Sequence, residues 1–210
     1  MRAKGPATID AAKAHFDRWS EQYERDPVSR WLASMQLLAL EGLDLQPDDA
    51  ILDVGCGTGA AVRLAAPIVA RAVGVDVSPG MVAQARLRSQ GIANAEFLEA
   101  EAASLPFPDG SFTALLCTTS LHHYPAPAAA IGEFARVLGS GGRALIADAS
   151  ADRLVARIAD RIIRRCERSH VGFLRSNEVA AHLFGAGFTG VERRTMLRRG
   201  YMLVRARKAA

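Results

Sequence analysis

The fold of this chain is decided by one short stretch, Ile51-Leu52-Asp53-Val54-Gly55-Cys56-Gly57-Thr58-Gly59. An apolar run ends in an acid, three glycines follow at alternate positions, and residues 60–70 are then rich in helix formers. This order predicts a buried strand, a tight glycine turn and the start of a helix. Glycines allow the backbone to approach a ligand, and a helix start offers unpaired N–H groups at a positive dipole end. We therefore predict a site for a nucleotide-type cofactor, whose identity the turn alone leaves open.

Predicted strands and helices alternate on either side of this stretch. Further strands are expected at residues 72–76, 95–99, 112–117 and 143–148, with helices at 79–90 and 127–138 and a tight turn at Gly139–Gly142. Such alternation is typical of parallel strands joined by right-handed helical crossovers. We expect an α/β protein with a Rossmann-like, doubly wound, mostly parallel seven-stranded sheet.

The two ends of the chain differ from this core. Two helices, at 8–24 and 29–42, precede it. A basic helix at 154–167, a helix at 176–184 capped by Ser176, and an antiparallel hairpin at 191–197 and 201–207 follow it. The basic helix is expected to turn one apolar set inward: Leu154, Val155, Ile158, Ile162 and Cys166. We predict one domain over residues 1–210, made of N-terminal helices (8–46), a cofactor-binding core (50–148) and a C-terminal part (150–210).

Composition indicates a soluble globular protein. Half of the 210 residues are apolar and 23% are charged. The sequence has no apolar run near the roughly 18 residues of a membrane span, and the N-terminus lacks a signal-peptide core. Its three cysteines have no metal-ligand spacing, so we expect free thiols, no metal site and a cytoplasmic location.

Charge is unevenly distributed. Residues 1–150 hold 12 Lys and Arg against 17 Asp and Glu, and residues 151–210 hold 14 against 5, so the two parts carry −5 and +9. A basic segment attracts nucleic acid, anionic lipid or an acidic substrate, or is only a solvated helix face.

Several acidic and polar residues stand where predicted strands end. Asp53, Asp76, Glu101 and the segment 118–123 should therefore line one cleft at the carboxyl edge of the sheet. Gly55, Gly57 and Ala60 also satisfy the G-x-G-x-x-G/A fingerprint, with an acid 21 residues after the first glycine. An NAD(P)-dependent oxidoreductase is thus one alternative.

Five segments in a fixed order favour a different cofactor. They are residues 52–59, Gly74-Val75-Asp76-Val77-Ser78-Pro79-Gly80-Met81, Leu105-Pro106-Phe107-Pro108-Asp109-Gly110-Ser111-Phe112, Leu121-His122-His123 and residues 136–143. Together they resemble the class I S-adenosylmethionine-dependent methyltransferases, especially the small-molecule group that includes ubiquinone and menaquinone C-methyltransferases. The resemblance covers about residues 10–195.

The resemblance implies a role for each matching residue at the methionine end of the cofactor. Backbone groups of Gly55, Cys56 and Gly57 would pack against the methionine part. Asp53 would orient this loop or meet the ammonium group through water, and Thr118 would lie near the methionine.

At the nucleoside end, Asp76 would accept hydrogen bonds from both ribose hydroxyls, as an ionised carboxylate can. Val77 and Met81 would flank the adenine. Glu101, where the family usually has Asp, would receive the adenine amino group, with the Ala102 N–H beside it.

The acceptor side carries fewer signals. His123 or His122 is a candidate base, because imidazole titrates near neutral pH; alternatively, one of them only packs on the cofactor loop. Tyr23 could close over the cofactor or belong to an ordinary amphipathic helix.

Missing motifs limit the acceptor. Thr118-Thr119-Ser120 replaces the Asn/Asp-Pro-Pro-aromatic loop of adenine and glutamine amino-group methylation, and no nucleic-acid module is present. We expect O-, N- or C-methylation of a small organic molecule. The arginine-rich segment 150–175 suggests an anionic acceptor or peripheral contact with a lipid headgroup. A non-catalytic S-adenosylmethionine-binding partner subunit is a further alternative, and the oligomeric state is open.

Overall fold

A computed structural model describes residues 8–23, 27–167, 169–196 and 200–210, without the side chains of residues 27–34 and 196. The helices are α1 (Ile9–Trp19), α2 (Pro27–Leu43), α3 (Ala60–Ala65), α4 (Pro79–Arg88), α5 (Pro127–Val137), α6 (Leu154–Cys166) and α7 (Ser176–Gly185). The strands are β1 (Ala50–Val54), β2 (Arg71–Asp76), β3 (Ala95–Glu99), β4 (Phe112–Thr118), β5 (Leu138–Ala149), β6 (Phe188–Met196) and β7 (Tyr201–Lys208). A 3₁₀ turn, Leu121–His123, follows β4.

All seven strands form one sheet in the order β3-β2-β1-β4-β5-β7-β6. The first five pair in parallel, and β7 pairs antiparallel with both β5 and β6. The predicted α/β fold with an antiparallel C-terminal hairpin is therefore confirmed. The chain winds from β1 to β3 in one direction and from β4 in the other, so a crevice opens between β1 and β4 at the carboxyl edge of the sheet.

Both faces of the sheet are covered by helices. Leu52 and Val54 point to one face and pack in a core with residues of α5 and α7. Ile51 points to the other face and packs with α2, α3 and α4. Because side chains alternate along a strand, Asp53 shares the face of Ile51.

Some local predictions were wrong. β5 starts at Leu138 and contains the glycines that were predicted as a separate turn. Its pairing with β4 shifts from Phe112↔Leu138 to Ala114↔Arg143, so the extra residues of β5 form a bulge and the strand continues. Helix α3 has six residues and ends at Ala65, although residues 60–70 are rich in helix formers. Ser176 is the first residue of α7, not its cap; the preceding backbone N–H, of Arg175, donates to Glu178 at 2.7 Å. The predicted helix end at residue 24 and residue 197 of the hairpin lie outside the described residues.

Helix α6 reverses the predicted orientation. Leu154, Val155, Ile158 and Ile162 are 55–71% exposed, and Cys166 is exposed as well. The residue of α6 that is buried is Asp160. The inner face of this helix is thus built around a carboxylate, and its apolar stripe points outward.

Candidate functional site

A cleft lies in the crevice at the carboxyl ends of β1, β2 and β4, under α1. It encloses about 1020 Å³, its open mouth included. The lining includes ten residues predicted to bind the cofactor and one predicted base: Tyr23, Gly55, Cys56, Gly57, Asp76, Val77, Met81, Glu101, Ala102, Thr118 and His123. Asp53 and His122 are not among the lining residues.

The glycine turn is held by its own backbone hydrogen bonds. The N–H groups of Gly55 and Cys56 both donate to the carbonyl of Val75, at 2.8 and 3.0 Å. The Gly57 N–H donates to Oδ2 of Asp76 at 2.9 Å. The N–H groups of Gly55, Cys56 and Gly57 are therefore satisfied inside the protein and are not open to an anion. The unpaired N–H groups expected at the start of α3 stay a prediction, and a helix of six residues adds little dipole.

Two glycines of the turn are required for different reasons. A Cβ on Gly55 would lie 2.5 Å from the side chain of Ser120, so this glycine is needed for packing inside the protein. A Cβ on Gly57 would meet no atom within 4 Å, and Gly57 lines the cleft. Both have positive φ, 78° and 53°. The open side at Gly57 is where a ligand can approach the backbone.

Asp76 faces the cleft from the end of β2. Its Oδ2 accepts from Gly57 and its Oδ1 from the Ser78 N–H at 2.9 Å. Each oxygen has a further lone pair, so the carboxylate can still accept hydrogen bonds from a diol. Burial raises the pKa of Asp76, although these two N–H groups oppose the shift.

Asp53 is a buried acid that has no partner in the part of the chain that the structure describes. It is 1% exposed, and neither of its carboxylate oxygens has a hydrogen-bond donor among the described residues. Burial, with the nearby charge of Asp76, raises the pKa of Asp53 to about 7. An unpaired buried carboxylate is costly, because the lost hydration is not replaced. A cation bound beside it would relieve that cost.

Thr118 adds a second unsatisfied group at the cleft. Its side chain is buried at the end of β4, and its Oγ1 has no partner among the described residues. Thr118 therefore fits its predicted place beside a polar ligand. Glu101 lines the opposite side of the cleft and is exposed, and Ala102 lies next to it.

The two histidines have separate environments. His123 lines the cleft, and its Nδ1 lies 2.7 Å from the carbonyl oxygen of Ser169. Burial and the adjacent His122 lower the pKa of His123 well below its usual value, so the ring is neutral at pH 7. Because a carbonyl only accepts, Nδ1 carries the proton and Nε2 keeps its lone pair. His123 can therefore accept a proton.

His122 faces a different partner. Its Nδ1 lies 2.6 Å from Oδ1 of Asp148, and its backbone N–H donates to Oδ2 of the same carboxylate at 3.0 Å. This ring lies against His123 and Phe173 rather than in the lining of the cleft. The candidate role of His122 as a base is therefore not supported by its position, whereas a structural role is.

Helix α1 covers the cleft, and Asp17 joins it to the start of α4. The Asp17 carboxylate accepts from the Ser78 hydroxyl and from the Gly80 N–H at 3.0 Å, at the start of α4. Phe16 lines the cleft and meets the His123 ring edge-on at 5.0 Å. Sequence reasoning assigned Phe16 no role, although the amphipathic pattern of α1 and the closeness of Tyr23 were a usable signal.

Ser120 was predicted only as part of segment 118–123, and Tyr124 was missed. Their hydroxyls lie 3.0 Å apart, and both donate to the carbonyl of Val54, at 3.2 and 3.3 Å. They fasten the end of β1 to the segment after β4, and both line the cleft. Their only sequence signal was their place around the His pair.

The electrostatic character of the cleft separates possible ligands. Among its described lining residues, Asp76 and Glu101 are acids and none is Lys or Arg. Together with the buried Asp53, these two acids attract a cation and repel the negative charges of a pyrophosphate. S-adenosylmethionine, which carries an ammonium and a sulfonium group, fits these residues. The pyrophosphate of NAD would need the N–H groups of the glycine turn, which Val75 and Asp76 already accept.

Two other kinds of site are absent from the described ranges. No three or more His, Cys, Asp or Glu side chains there are placed to hold a metal ion. No helix there is both long enough and apolar enough to span a bilayer.

Comparisons with known proteins agree with this geometry. Residues 52–146 match the family model described as a methyltransferase domain. The chain is 30% identical to a demethylmenaquinone methyltransferase of Clavibacter sepedonicus, over 93% of this chain and 89% of that protein. It is 31% identical to the uncharacterized methyltransferase YcgJ of Bacillus subtilis, over 74% of this chain and 63% of that protein.

The same fold also occurs in a protein that is named for a different reaction. The solved structure of the [4+2]-cyclase SpnF matches with a TM-score of 0.78 and 21% identity, covering 98% of each chain. The chain spans between 41% and 63% of the length of the first three curated relatives that it matches.

Proposed function

Because the chain belongs to the class I S-adenosylmethionine-dependent methyltransferases, we propose that it transfers a methyl group to a small organic acceptor. One observation carries the proposal: the cleft at the β1–β4 crevice is lined by acids without Lys or Arg among its described residues, next to an unpaired buried carboxylate. This favours a cationic nucleoside cofactor over NAD(P). S-adenosylmethionine, when bound, supplies an activated methyl group.

Different residues at the cleft would contact different parts of the cofactor. Asp76 would accept from the ribose, Val77 and Met81 would flank the adenine, and Glu101 with the Ala102 N–H would meet its amino edge. Asp53 would compensate the ammonium group from behind the glycine turn. Gly57 supplies the open approach to the backbone, while Gly55 and Cys56 shape the turn by their bonds to Val75.

His123 would be the group that takes a proton from the acceptor. It is neutral, its Nδ1–H is engaged by Ser169, and its Nε2 lone pair is the remaining basic site. A general base contributes typically 10²–10⁴-fold to the rate, and His123 belongs at the lower end of this range because its lowered pKa makes it a weaker base. The contact of Phe16 with the ring holds it from the α1 side.

The acceptor is proposed to be uncharged and largely apolar. Much of the lining that remains beside the cofactor residues is apolar, from Ile9, Ala12 and Phe16 on α1 to Ala126, just before α5, and Ala130 on α5. The arginines of segment 150–175 do not line the cleft among the described residues, so the anionic acceptor expected from sequence finds no support there.

The proposal is tested by turnover with a radiolabelled methyl donor over fractionated metabolite extracts, followed by the same assay on His123→Ala. We expect labelled product from the wild type and a loss of at least 10²-fold in kcat for the variant, with the affinity for S-adenosylhomocysteine unchanged. His182→Ala, on α7 and outside the lining, is the matched control. Absence of labelled product over all fractions, with intact cofactor binding, would favour a non-catalytic partner subunit or another reaction.

A further inference from the structure

Helix α6 has an exposed apolar stripe on its outer face. Leu154, Val155, Ile158 and Ile162 are 64%, 71%, 55% and 56% exposed. Leu154, Ile158 and Ile162 follow one another at intervals of four, with Val155 beside them, so they lie on one side of the helix. Four neighbouring aliphatic side chains left in water on one helix mark an interaction site.

The inner face of α6 shows that the helix is held in this orientation by polar contacts. Asp160 accepts from His170 Nε2 at 2.7 Å, from the Phe173 N–H at 2.8 Å and from Arg164 Nε at 2.8 Å. The bonds from His170 and Phe173 join α6 to the segment that follows it. Turning the apolar stripe inward would bring Asp160 out of this network, so the outward stripe belongs to the folded state.

The charge beside the stripe has a single sign. Arg157, Arg161 and Arg165 are exposed and also spaced by four, so they form a row next to the apolar one. The sole acid within α6 is the buried Asp160. A helix with an apolar side bordered by arginine is typical of helices that lie in the interface of an anionic membrane.

A second copy of the chain fits this surface poorly. Residues 151–210 carry a formal charge of +9, so self-association through α6 would bring like charges together. A standard interface needs about 800 Å² from each partner, and four side chains on a helix of roughly 20 Å provide only a fraction of that. A bilayer needs no such area from one helix, because acyl chains receive the aliphatic groups and phosphates pair with the arginines.

We propose that α6 docks the protein on the surface of an anionic lipid bilayer. Leu154, Val155, Ile158 and Ile162 enter the interface, and Arg157, Arg161 and Arg165 meet the lipid phosphates. The docked helix is close to the cleft: Asp160 binds His170 and Phe173, and the neighbouring Ser169 carbonyl holds His123. If the proposed methyl transfer holds, an acceptor dissolved in the bilayer would have a short path to His123.

Vesicle sedimentation tests the docking. The full chain is mixed with vesicles of phosphatidylcholine alone or with equal parts of phosphatidylglycerol, at low and at high salt. We expect binding to the mixed vesicles at low salt, weakened by high salt. The triple variant Arg157→Gln/Arg161→Gln/Arg165→Gln should bind on the order of a hundredfold more weakly, because each arginine contributes about tenfold or less. The double variant Ile158→Ser/Ile162→Ser should bind at least tenfold more weakly, because it removes apolar surface from the interface.

Leu64→Ser/Ile68→Ser is the matched control, because these two aliphatic residues are 46% and 48% exposed outside α6. It should bind vesicles as the wild type does. Equal binding by the α6 variants and the wild type, no binding of the wild type to mixed vesicles, or dimerisation that Ile158→Ser/Ile162→Ser abolishes would overturn the proposal. S-adenosylhomocysteine binding, measured on the same samples, keeps a failure of docking separate from a failure of the cofactor site.

Discussion

Two buried aspartates in this molecule have opposite surroundings. Asp160, on the inner face of α6, accepts hydrogen bonds from two side chains and one backbone N–H, and it is 8% exposed. Asp53, at the end of β1, is 1% exposed and neither oxygen has a donor among the described residues. The first carboxylate is satisfied by the fold itself. The second is costly in the free protein, which is expected where a ligand supplies the missing partner.

The pKa directions follow this difference. Burial disfavours ionisation of Asp160, but the Phe173 N–H, His170 and Arg164 outweigh it and lower the pKa of this acid. Burial with the charge of Asp76 raises the pKa of Asp53 to about 7. One carboxylate therefore stabilises the fold when ionised, and the other destabilises it.

The largest effect is expected from Asp160→Ala. The substitution leaves His170 and the Phe173 N–H without their acceptor, so the free energy of unfolding should fall by about 2–4 kcal/mol. Urea denaturation at pH 7 measures it. Asp109→Ala, which removes an exposed partner of Arg136, should change the value by less than about 1 kcal/mol. A similar small change for Asp160→Ala would show that the network does not hold α6.

Asp53→Asn should act in the opposite direction. Removing an unpaired buried charge should raise the free energy of unfolding at pH 8 by on the order of 2 kcal/mol, while cofactor affinity falls. Denaturation at pH 8 and a titration with S-adenosylhomocysteine measure the two effects. A variant that is less stable than the wild type at pH 8 would mean that Asp53 has a stabilising partner, and the contrast with Asp160 would disappear.

A smaller effect, the pH dependence of stability, distinguishes Asp53 from Asp160. The folded-state pKa of Asp53 is raised, so the wild type takes up a proton at this carboxylate as the pH falls through 7, and the destabilising charge disappears. The extra free energy of unfolding of Asp53→Asn over the wild type should therefore be smaller at pH 5.5 than at pH 8, by about 1 kcal/mol or more. The folded-state pKa of Asp160 is lowered, so its contribution is complete above the unfolded value and is lost only as the pH falls through the folded value. The cost of Asp160→Ala should therefore be equal at pH 8 and pH 5.5. Parallel changes in both variants would contradict the assignment.

The sequence contained enough information for the sheet and for the cofactor half of the cleft. Buried strands, glycine turns and acids at strand ends depend on local patterns, so the amino-acid order alone places Asp53, Asp76 and Glu101 at one edge of the sheet. Their neighbours Val77, Met81 and Thr118 came from the family resemblance and also lie in the cleft. Their contacts with a cofactor stay predictions.

What could not be predicted depends on long-range partners. Periodicity showed that α6 is amphipathic, but the inner side was set by Asp160 meeting His170 and Phe173, ten and thirteen residues away. The glycine turn likewise could not reveal that the Val75 carbonyl takes the N–H groups of Gly55 and Cys56. His122 and His123 are adjacent in sequence, yet Asp148 and Ser169, from different segments, give them different surroundings.

Calorimetric titration with S-adenosylhomocysteine at pH 6.5, in two buffers of different ionisation enthalpy, tests the central claim most directly. The claim is that the cleft holds the ammonium end of this cofactor class near Asp53. A positive group beside Asp53 lowers its pKa, so binding should release about half a proton or more in the wild type and markedly less in Asp53→Asn, and NAD should give no binding heat. Binding of NAD, or equal proton release from the wild type and Asp53→Asn, would contradict the account.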